Sequence, residues 1–251
     1  MQLFSFNSRS RSLRPSTIAR VAALAVVFGI GNPLLNAQVF TEIGDAGQTP
    51  GTAQNSGIVQ AAGGTGRSTV LGTFLSPTDA DVYRLTINAP GTFSISTLNT
   101  LTQSNGGPGG LDTQLFIFDA AGHPIVMNDD ANGLALQSTI PSATPFMSAL
   151  AAGIYYIAIS LAGNDPVNIN NQLMFAMNGG NTTAIRGPAS GTNPSTWSDF
   201  NSGTFFAQQG AYQIDITTVP DNGSTLLLIG VAFMGLALLH RRVTAPAQSR
   251  G

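Results

Sequence analysis

The fold is decided by the segment GIYYIAISLAG at residues 153–163. Every second side chain from Tyr155 to Leu161 is large and apolar, and these side chains share one face if the segment is extended. The same period of two recurs at residues 81–88 and at residues 210–219. Three half-buried β-strands are therefore predicted, each with one face on a hydrophobic core.

The rest of the middle of the chain also favours strands. Leu115-Phe-Ile-Phe118 is apolar at every position, so this strand is predicted to be covered on both faces. Gln213 and Asp215 alternate with apolar neighbours and are expected to face water. Further strands are predicted at residues 69–75, 92–98, 123–127, 135–140 and 172–178. The predicted core residues are Tyr83, Leu85, Phe116, Phe118, Tyr155, Ile157 and Ile214.

Eight or nine short strands, with no helical pattern between them, predict an all-β domain at residues 38–218, an antiparallel β-sandwich of jelly-roll type. Two segments, residues 99–110 and most of residues 181–210, have loop composition. The second loop contains the aromatic residues Trp197, Phe200, Phe205 and Phe206. These side chains either tuck under the sandwich or form a contact surface, and tucking is the favoured interpretation.

The N-terminal segment has the order of a secretory signal. Arginines without acidic residues come first, an apolar stretch follows at residues 21–30, and small residues lead to Ala37. The apolar stretch is too short to cross a bilayer core of ~30 Å. Residues 1–37 are therefore predicted to be a signal peptide, with a helical signal segment that precedes the sandwich.

Residues 219–251 are predicted to form a C-terminal sorting region. A polar motif at residues 219–225 comes first and contains Val219, Pro220, Asp221, Asn222, Gly223 and Ser224. An apolar helix at 224–239 would be about 24 Å long, which makes it a marginal transmembrane helix. The basic stop at 240–242 predicts that the end of the chain lies in the cytoplasm.

The charges are distributed unevenly. All 12 acidic residues, but only three of the 10 basic ones, lie between Glu42 and Asp221, which gives this part a net charge of −9. Such a domain is a poor partner for nucleic acid or anionic lipid. The chain has no cysteine, which excludes disulfides, thiol nucleophiles and cysteine-based zinc sites.

Several short motifs resemble, in their order, those of the bacterial pre-peptidase C-terminal domain. They are Glu42-Ile-Gly-Asp-Ala-Gly47, Asp79-Ala-Asp-Val-Tyr83, Asp112-Thr-Gln-Leu-Phe-Ile-Phe-Asp119, Asn128-Asp-Asp130, Gln137-Ser138 and Ala152-Gly-Ile-Tyr-Tyr-Ile-Ala-Ile-Ser160. The resemblance covers about residues 40–217. It implies a β-sandwich module of the kind found on secreted bacterial proteins.

The C-terminal region resembles the PEP-CTERM class of sorting signals, in the variant with Val-Pro-Asp and Gly-Ser-Thr. This resemblance implies that signal peptidase and then an exosortase process the protein. The implied location is the inner membrane, through the C-terminal helix, followed by the cell surface or the extracellular space. Because the class is linked to extracellular polysaccharide, that polymer is an implied partner.

The acidic residues at strand ends have two open interpretations. Asp79 and Asp81 at the start of one strand could meet a turn at residues 128–130 around a calcium ion, which takes six to eight oxygen ligands. The candidate ligands are Asp79, Asp81, Asp112, Asn128, Asp129 and Asp130. Alternatively, these side chains only form turns and end strands. Calcium is the one cofactor that the pattern suggests.

No catalytic motif is found. His123 is the one histidine before the C-terminal region and lies in a turn sequence, Ala-Ala-Gly-His-Pro. A nucleophilic triad or a histidine-based metal centre would need further residues in fixed positions. We therefore expect a non-enzymatic surface or extracellular-matrix protein. A carbohydrate- or protein-binding module and a hydrolase without recognisable motifs remain as alternatives.

Overall fold

The computed structural model describes residues 37–60, 66–88, 93–97, 110–131, 136–176, 184–189, 194, 196–199, 208–218 and 233–234. The predicted signal segment and the sorting motif lie outside these residues. So do nearly all of the loop at 99–110, most of the apolar C-terminal run and the aromatics Phe200, Phe205 and Phe206. Among the described residues, no helix has the length and apolar character needed to cross a membrane.

The described chain is built almost entirely of short strands. They are β1 (Val39–Thr41), β2 (Gln54–Gln60), β3 (Arg67–Phe74), β4 (Ala80–Ile87), β5 (Phe93–Ser96), β6 (Thr113–Phe118), β7 (Pro124–Asn128), β8 (Thr139–Ile140), β9 (Gly153–Leu161), β10 (Asn164–Val167), β11 (Thr196–Asp199) and β12 (Gly210–Thr218). One helical turn, α1 (Pro145–Ser148), begins at Thr144, whose hydroxyl accepts a hydrogen bond from the backbone N–H of Met147.

Two five-stranded sheets face each other. The first sheet has the order β1-β3-β12-β5-β8, and the second has the order β2-β4-β9-β6-β7. β10 and β11 form a separate two-stranded ribbon. The all-β, two-sheet part of the predicted fold is therefore confirmed.

Each five-stranded sheet is mixed, so the expectation of purely antiparallel sheets is wrong at one edge of each. β1 pairs with β3 in parallel, and β2 pairs with β4 in parallel, while the other pairs are antiparallel. The reason is the chain path, because β1 to β4 alternate between the two sheets. A strand that returns to its sheet after such a crossover runs in the same direction as its partner.

The main core lies between the sheets. It contains Tyr83 and Leu85 of β4, Ile157 of β9, and Tyr212 and Ile214 of β12, all at most 2% exposed. All seven predicted core residues are buried. The period of two therefore identified the strands that face this core.

A second apolar layer covers the outer face of the second sheet. Phe116 and Phe118 point to this side and pack on Phe175, which explains why the whole of β6 is buried. Trp197 of β11 is half-buried, with its ring 5.3 Å from that of Phe116, and its Nε1 donates a hydrogen bond to the carbonyl of Gln48. Trp197 thus tucks under the sandwich, as predicted.

Other details depart from the sequence-based expectations. The described part of the predicted strand at 172–178, residues 172–176, does not form a strand, and single bridges join Leu173 to Val167 of β10 and Phe175 to Pro188. Asp215 does not face water. It is 3% exposed and forms an ion pair with Arg67, with 2.8 Å between Oδ1 and Nε. A charged partner on the neighbouring strand makes this burial possible.

Candidate metal sites

One end of the second sheet collects acidic side chains. β4 begins there, β9 ends there and β6 begins there, as the pairing of Ala80 with Ser160 and of Thr113 with Leu161 shows. β7 also ends there, because Asn128 pairs with Leu115 near the start of β6. Residues that flank these strand ends are therefore brought to one end of the sandwich.

The six predicted ligands do not form one group. Carboxylate oxygens of Glu42, Asp45 and Asp81 lie within 4.8 Å of one another, and we call this group the Asp81 cluster. Those of Asp112, Asp129 and Asp130 form a second group of the same size, the Asp129 cluster. β4, which carries Asp81, and β7, which precedes Asp129, are three positions apart in the sheet, so with ~4.8 Å between neighbouring strands these two strands are about 14 Å apart.

The buried centre of the first cluster is Asp81. Asp81 is 0% exposed, and its Oδ2 accepts a hydrogen bond of 2.6 Å from the Tyr212 hydroxyl. That hydroxyl lies 2.5 Å from the Tyr83 hydroxyl. Oδ1 of Asp81 is shielded from solvent and has no hydrogen-bond partner among the residues that the structure describes. A buried carboxylate oxygen without a partner is costly, so this atom needs a proton or a cation nearby.

Gly72 of β3 creates the space for the two tyrosine hydroxyls. A Cβ at this position would lie 2.3 Å from the Tyr212 hydroxyl oxygen and 2.7 Å from that of Tyr83. Such distances are far inside van der Waals contact. Any residue other than glycine would therefore displace the hydroxyl that binds Asp81.

The chain after β1 presents the other two carboxylates of this cluster. Glu42 accepts hydrogen bonds of 2.8 Å from the backbone N–H groups of Ala46 and Thr73, one on each oxygen. Gly44 has a φ of +72°, which reverses the chain between Glu42 and Asp45 at no steric cost. Glu42 is half-buried, whereas Asp45 is exposed.

Asp79 stands beside this cluster rather than in it. It is 4% exposed, and its Oδ2 accepts a hydrogen bond of 2.6 Å from the backbone N–H of Leu75. This bond closes the turn between β3 and β4, which is the turn-forming role considered for it. Its charge still acts on Asp81.

Burial and like charge shift the acidity of the Asp81 cluster. Burial is the largest cause that raises the pKa of Asp81 to about 8, the bond from Tyr212 opposes the rise, and the charges of Glu42, Asp79 and Asp45 add to it. Burial also raises the pKa of Glu42 and that of Asp79. Without a cation, the carboxyls of Asp81 and Glu42 therefore hold protons more tightly than free carboxyls do.

The Asp129 cluster lies where β6 begins and β7 ends. Asp112 directly precedes β6, and Asp129 and Asp130 directly follow β7. Burial raises the pKa of Asp112 to about 7 and that of Asp129 to about 8, and in both cases neighbouring carboxylates add to the effect. Burial also raises the pKa of Asp130.

Asn128 shapes the turn that presents this second cluster. Its Nδ2 donates to the carbonyl of Asp130 at 3.1 Å, and its Oδ1 accepts from the backbone N–H of Thr139 at 2.7 Å. The Ser138 hydroxyl also donates to the carbonyl of Asp129 at 2.5 Å. The amide of Asn128 is thus used within the protein, and Asn128 positions the carboxylates of its neighbours.

The arginines bind elsewhere. In the part of the chain that the structure describes, Arg67 pairs with Asp215, Arg84 contacts Asn55 at 3.4 Å, and Arg186 donates to the carbonyl of Ala176. None of these three arginines forms a hydrogen bond or an ion pair with a described residue of either cluster. Both clusters consist of oxygen donors only, which suits a hard divalent cation such as calcium.

The opposite end of the second sheet has a different chemistry. His123 lies in the exposed turn between β6 and β7, with its Nδ1 3.1 Å from Oδ2 of Asp119. Next to this turn is an open groove of about 470 Å³, lined by Phe146, Tyr155 and Pro188 among others. The histidine is therefore placed as a turn residue far from the acidic end.

Sequence reasoning did not include Glu42 and Asp45 among the candidate ligands. The segment Glu42-Ile-Gly-Asp45 does contain a pattern that could have indicated ligands, because one carboxylate lies on each side of a glycine. Only the parallel pairing of β1 with β3 reveals that this turn lies beside the start of β4. Comparison with protein-family models gave no match, and comparison with curated protein sequences gave no significant match.

Proposed function

We propose that this chain is an exported, non-enzymatic β-sandwich protein of the bacterial envelope or extracellular matrix, and that the sandwich binds calcium at the Asp81 cluster. The observation that supports calcium binding is the carboxylate of Asp81. It is fully buried, it has one oxygen without a partner, and Glu42 and Asp45 lie beside it. A divalent cation would offset the repulsion among the three groups and supply the missing partner.

Calcium suits this cluster better than magnesium or zinc. The donors are carboxylates of different exposure, from the buried Asp81 to the exposed Asp45, and the exposed side leaves room for water ligands. Calcium accepts six to eight oxygens in flexible geometry, whereas magnesium demands a near-ideal octahedron. Zinc sites favour nitrogen and sulfur donors, which this cluster lacks.

Export and processing form the second part of the proposal. They rest on the N-terminal signal pattern, the motif at residues 219–225 and the resemblance to pre-peptidase C-terminal domains and PEP-CTERM signals. In this view signal peptidase and an exosortase process the chain. The processed sandwich is then displayed at the surface or released, with extracellular polysaccharide as a partner.

The direction of the C-terminal connection fits this arrangement. The first residues of β12 lie at the acidic end, where Tyr212 donates a hydrogen bond to Asp81. The strand ends at Thr218, whose hydroxyl accepts a hydrogen bond from Gln60, the last residue of β2. The chain therefore leaves the sandwich at the end opposite the acidic clusters. While the protein is anchored by its C-terminal segment, the acidic end would point away from the membrane.

Thermal melting of the purified full-length protein tests calcium binding. A ligand that binds only the folded state stabilises it by ~2.7 kcal/mol at a hundredfold excess over its dissociation constant. We expect millimolar calcium to raise the melting temperature relative to chelator, and Asp81→Asn to reduce this difference. Asp119→Asn, at the opposite end, is the matched control and keeps the wild-type response. Identical melts of the wild type in calcium and in chelator would refute the proposal.

The groove at the other end favours a second candidate function, a carbohydrate- or protein-binding module. Its half-buried Phe146 offers an aromatic ring that sugar rings and peptides can stack on. A glycan array with the wild type and with Phe146→Ala tests this alternative. Binding that is lost in Phe146→Ala but kept in chelator would favour the groove over the calcium cluster.

A further inference from the structure

We propose that Asp112, Asp129 and Asp130 form a second divalent-cation site, separate from the Asp81 cluster and able to bind without it. The three carboxylates approach within 4.8 Å of one another although they come from two different turns. Asp112 precedes β6, and the other two follow β7, its antiparallel neighbour. The pairing of β6 with β7 therefore creates the cluster, since no short sequence motif contains all three residues.

A second observation, independent of the clustering, points to a ligand. Among the described residues, Oδ1 of Asp129 is shielded from solvent and has no partner at hydrogen-bond geometry, while a hydrogen bond from the Gln114 side chain to the carboxylate lowers its pKa only in part. Asp129 as a residue is half-buried, whereas its Oδ1 atom is fully shielded from solvent. Asp130 is only 2% exposed. Folding thus places these carboxylates out of water without giving Oδ1 of Asp129 a protein donor, and a cation would fill that role.

The surrounding charges have the sign that a cation site requires. The charges that act on Asp129 come from Asp130, Asp112 and Asp165, and all are negative. Asp165 lies on β10, which belongs to the ribbon that covers the outer face of the second sheet. A cation at the Asp129 cluster would therefore also offset the repulsion between the sheet and this ribbon.

The donor set determines the class of ion. Three carboxylates supply half or fewer of the ligands of a calcium ion, and water or backbone carbonyls would complete the shell. With oxygen donors only, the site fits calcium, or manganese as its spectroscopic substitute, better than zinc or copper. Asn128 and Ser138 hold the turn and are positioning residues for the carboxylates rather than expected ligands.

Calcium titration calorimetry of the purified full-length protein tests the proposal. We expect two calcium ions per chain in the wild type and one in Asp129→Asn, with the same loss in Asp112→Asn. Asp119→Asn, an aspartate at the other end of β6, should keep both ions. Circular dichroism of each variant shows whether the fold is retained. If Asp129→Asn does not fold, the number of calcium ions bound by Asp112→Asn, a substitution at a half-buried residue, tests the proposal.

The variants separate this proposal from the proposed function. A single ion that is lost in Asp81→Asn but kept in Asp112→Asn and Asp129→Asn would overturn the second site and leave the first intact. A single ion with the reverse behaviour would support the Asp129 cluster and refute binding at the Asp81 cluster. Two ions that both persist in Asp112→Asn and Asp129→Asn would also overturn the second site.

Discussion

Tyr212 on β12 donates a hydrogen bond of 2.6 Å to Oδ2 of Asp81 on β4. The two residues belong to different sheets, so this bond joins the sheets at the acidic end of the core. The Tyr83 hydroxyl extends the link at 2.5 Å. A polar connection inside an apolar core makes stability depend on each of its members.

The first prediction concerns this link. Tyr212→Phe keeps the ring but leaves Oδ2 of Asp81 without its donor, so we expect a loss of about 1–3 kcal/mol in the free energy of unfolding. Denaturant unfolding measures the loss. Tyr156→Phe, on a half-buried ring of the outer face, is the control and should change stability by less than about 0.5 kcal/mol. Equal midpoints for Tyr212→Phe and the wild type would contradict the prediction.

The second prediction concerns the core between the sheets. Leu85 and Ile157 are 2% and 1% exposed, so Leu85→Ala or Ile157→Ala should cost roughly 2–5 kcal/mol. The domain has no disulfide to share this role, and a loss of this size is a large part of the ~5–15 kcal/mol total stability typical of a domain. Leu75→Ala is the matched control, because Leu75 is 62% exposed. Unchanged denaturant midpoints in the two core variants would show that the core is assigned incorrectly.

The third prediction is a pH dependence in the absence of metal. The pKa of Asp81 and that of Asp129 are raised to about 8 in the folded state, and that of Asp112 to about 7, against about 3.9 in the unfolded chain. The folded state thus binds protons more tightly, and these groups stabilise it most below pH 4. Their contribution falls progressively above about pH 4 and is fully lost once the pH has risen through 7 to 8.

Denaturant midpoints in chelator, taken from pH 5 to pH 9, measure this dependence. We expect the midpoint to fall toward alkaline pH, and millimolar calcium to reduce the fall because the ion stabilises the ionised clusters. Asp129→Asn should flatten the curve in chelator, while Asp119→Asn should leave it unchanged. A midpoint that rises from pH 5 to pH 9 would contradict the burial of these carboxyls.

The fourth prediction concerns processing. If the motif at residues 219–225 is a sorting signal, the mature protein lacks residues 226–251. Intact-mass measurement of the envelope-associated or secreted protein tests this. Recovery of the C-terminal Arg250-Gly251 on the mature species would contradict it. Substitution of Pro220 and Asp221 by alanine should preserve the longer species.

The sequence by itself determined the strands that face the main core. The apolar alternation covers seven residues in β9 and five each in β4 and β12, and a one-residue shift would move these apolar side chains to the wrong face. The uniform apolar run in β6 likewise predicted its burial on both faces. Short strands such as β1 and β10 have too few residues for a period to emerge, and the sequence did not reveal them.

Tertiary structure alone decided how the acidic residues are grouped. The sequence places Asp79 and Asp81 at a strand start and Asp129 in a distant turn, but it does not say which strands are neighbours. Two strands, β9 and β6, separate β4 from β7, so a single shared site becomes two clusters. Glu42 joins Asp81 because β1 crosses back beside β3 in parallel. Periodicity is a local property that one segment reveals, whereas a ligand set depends on strand order, which arises only when the whole chain packs.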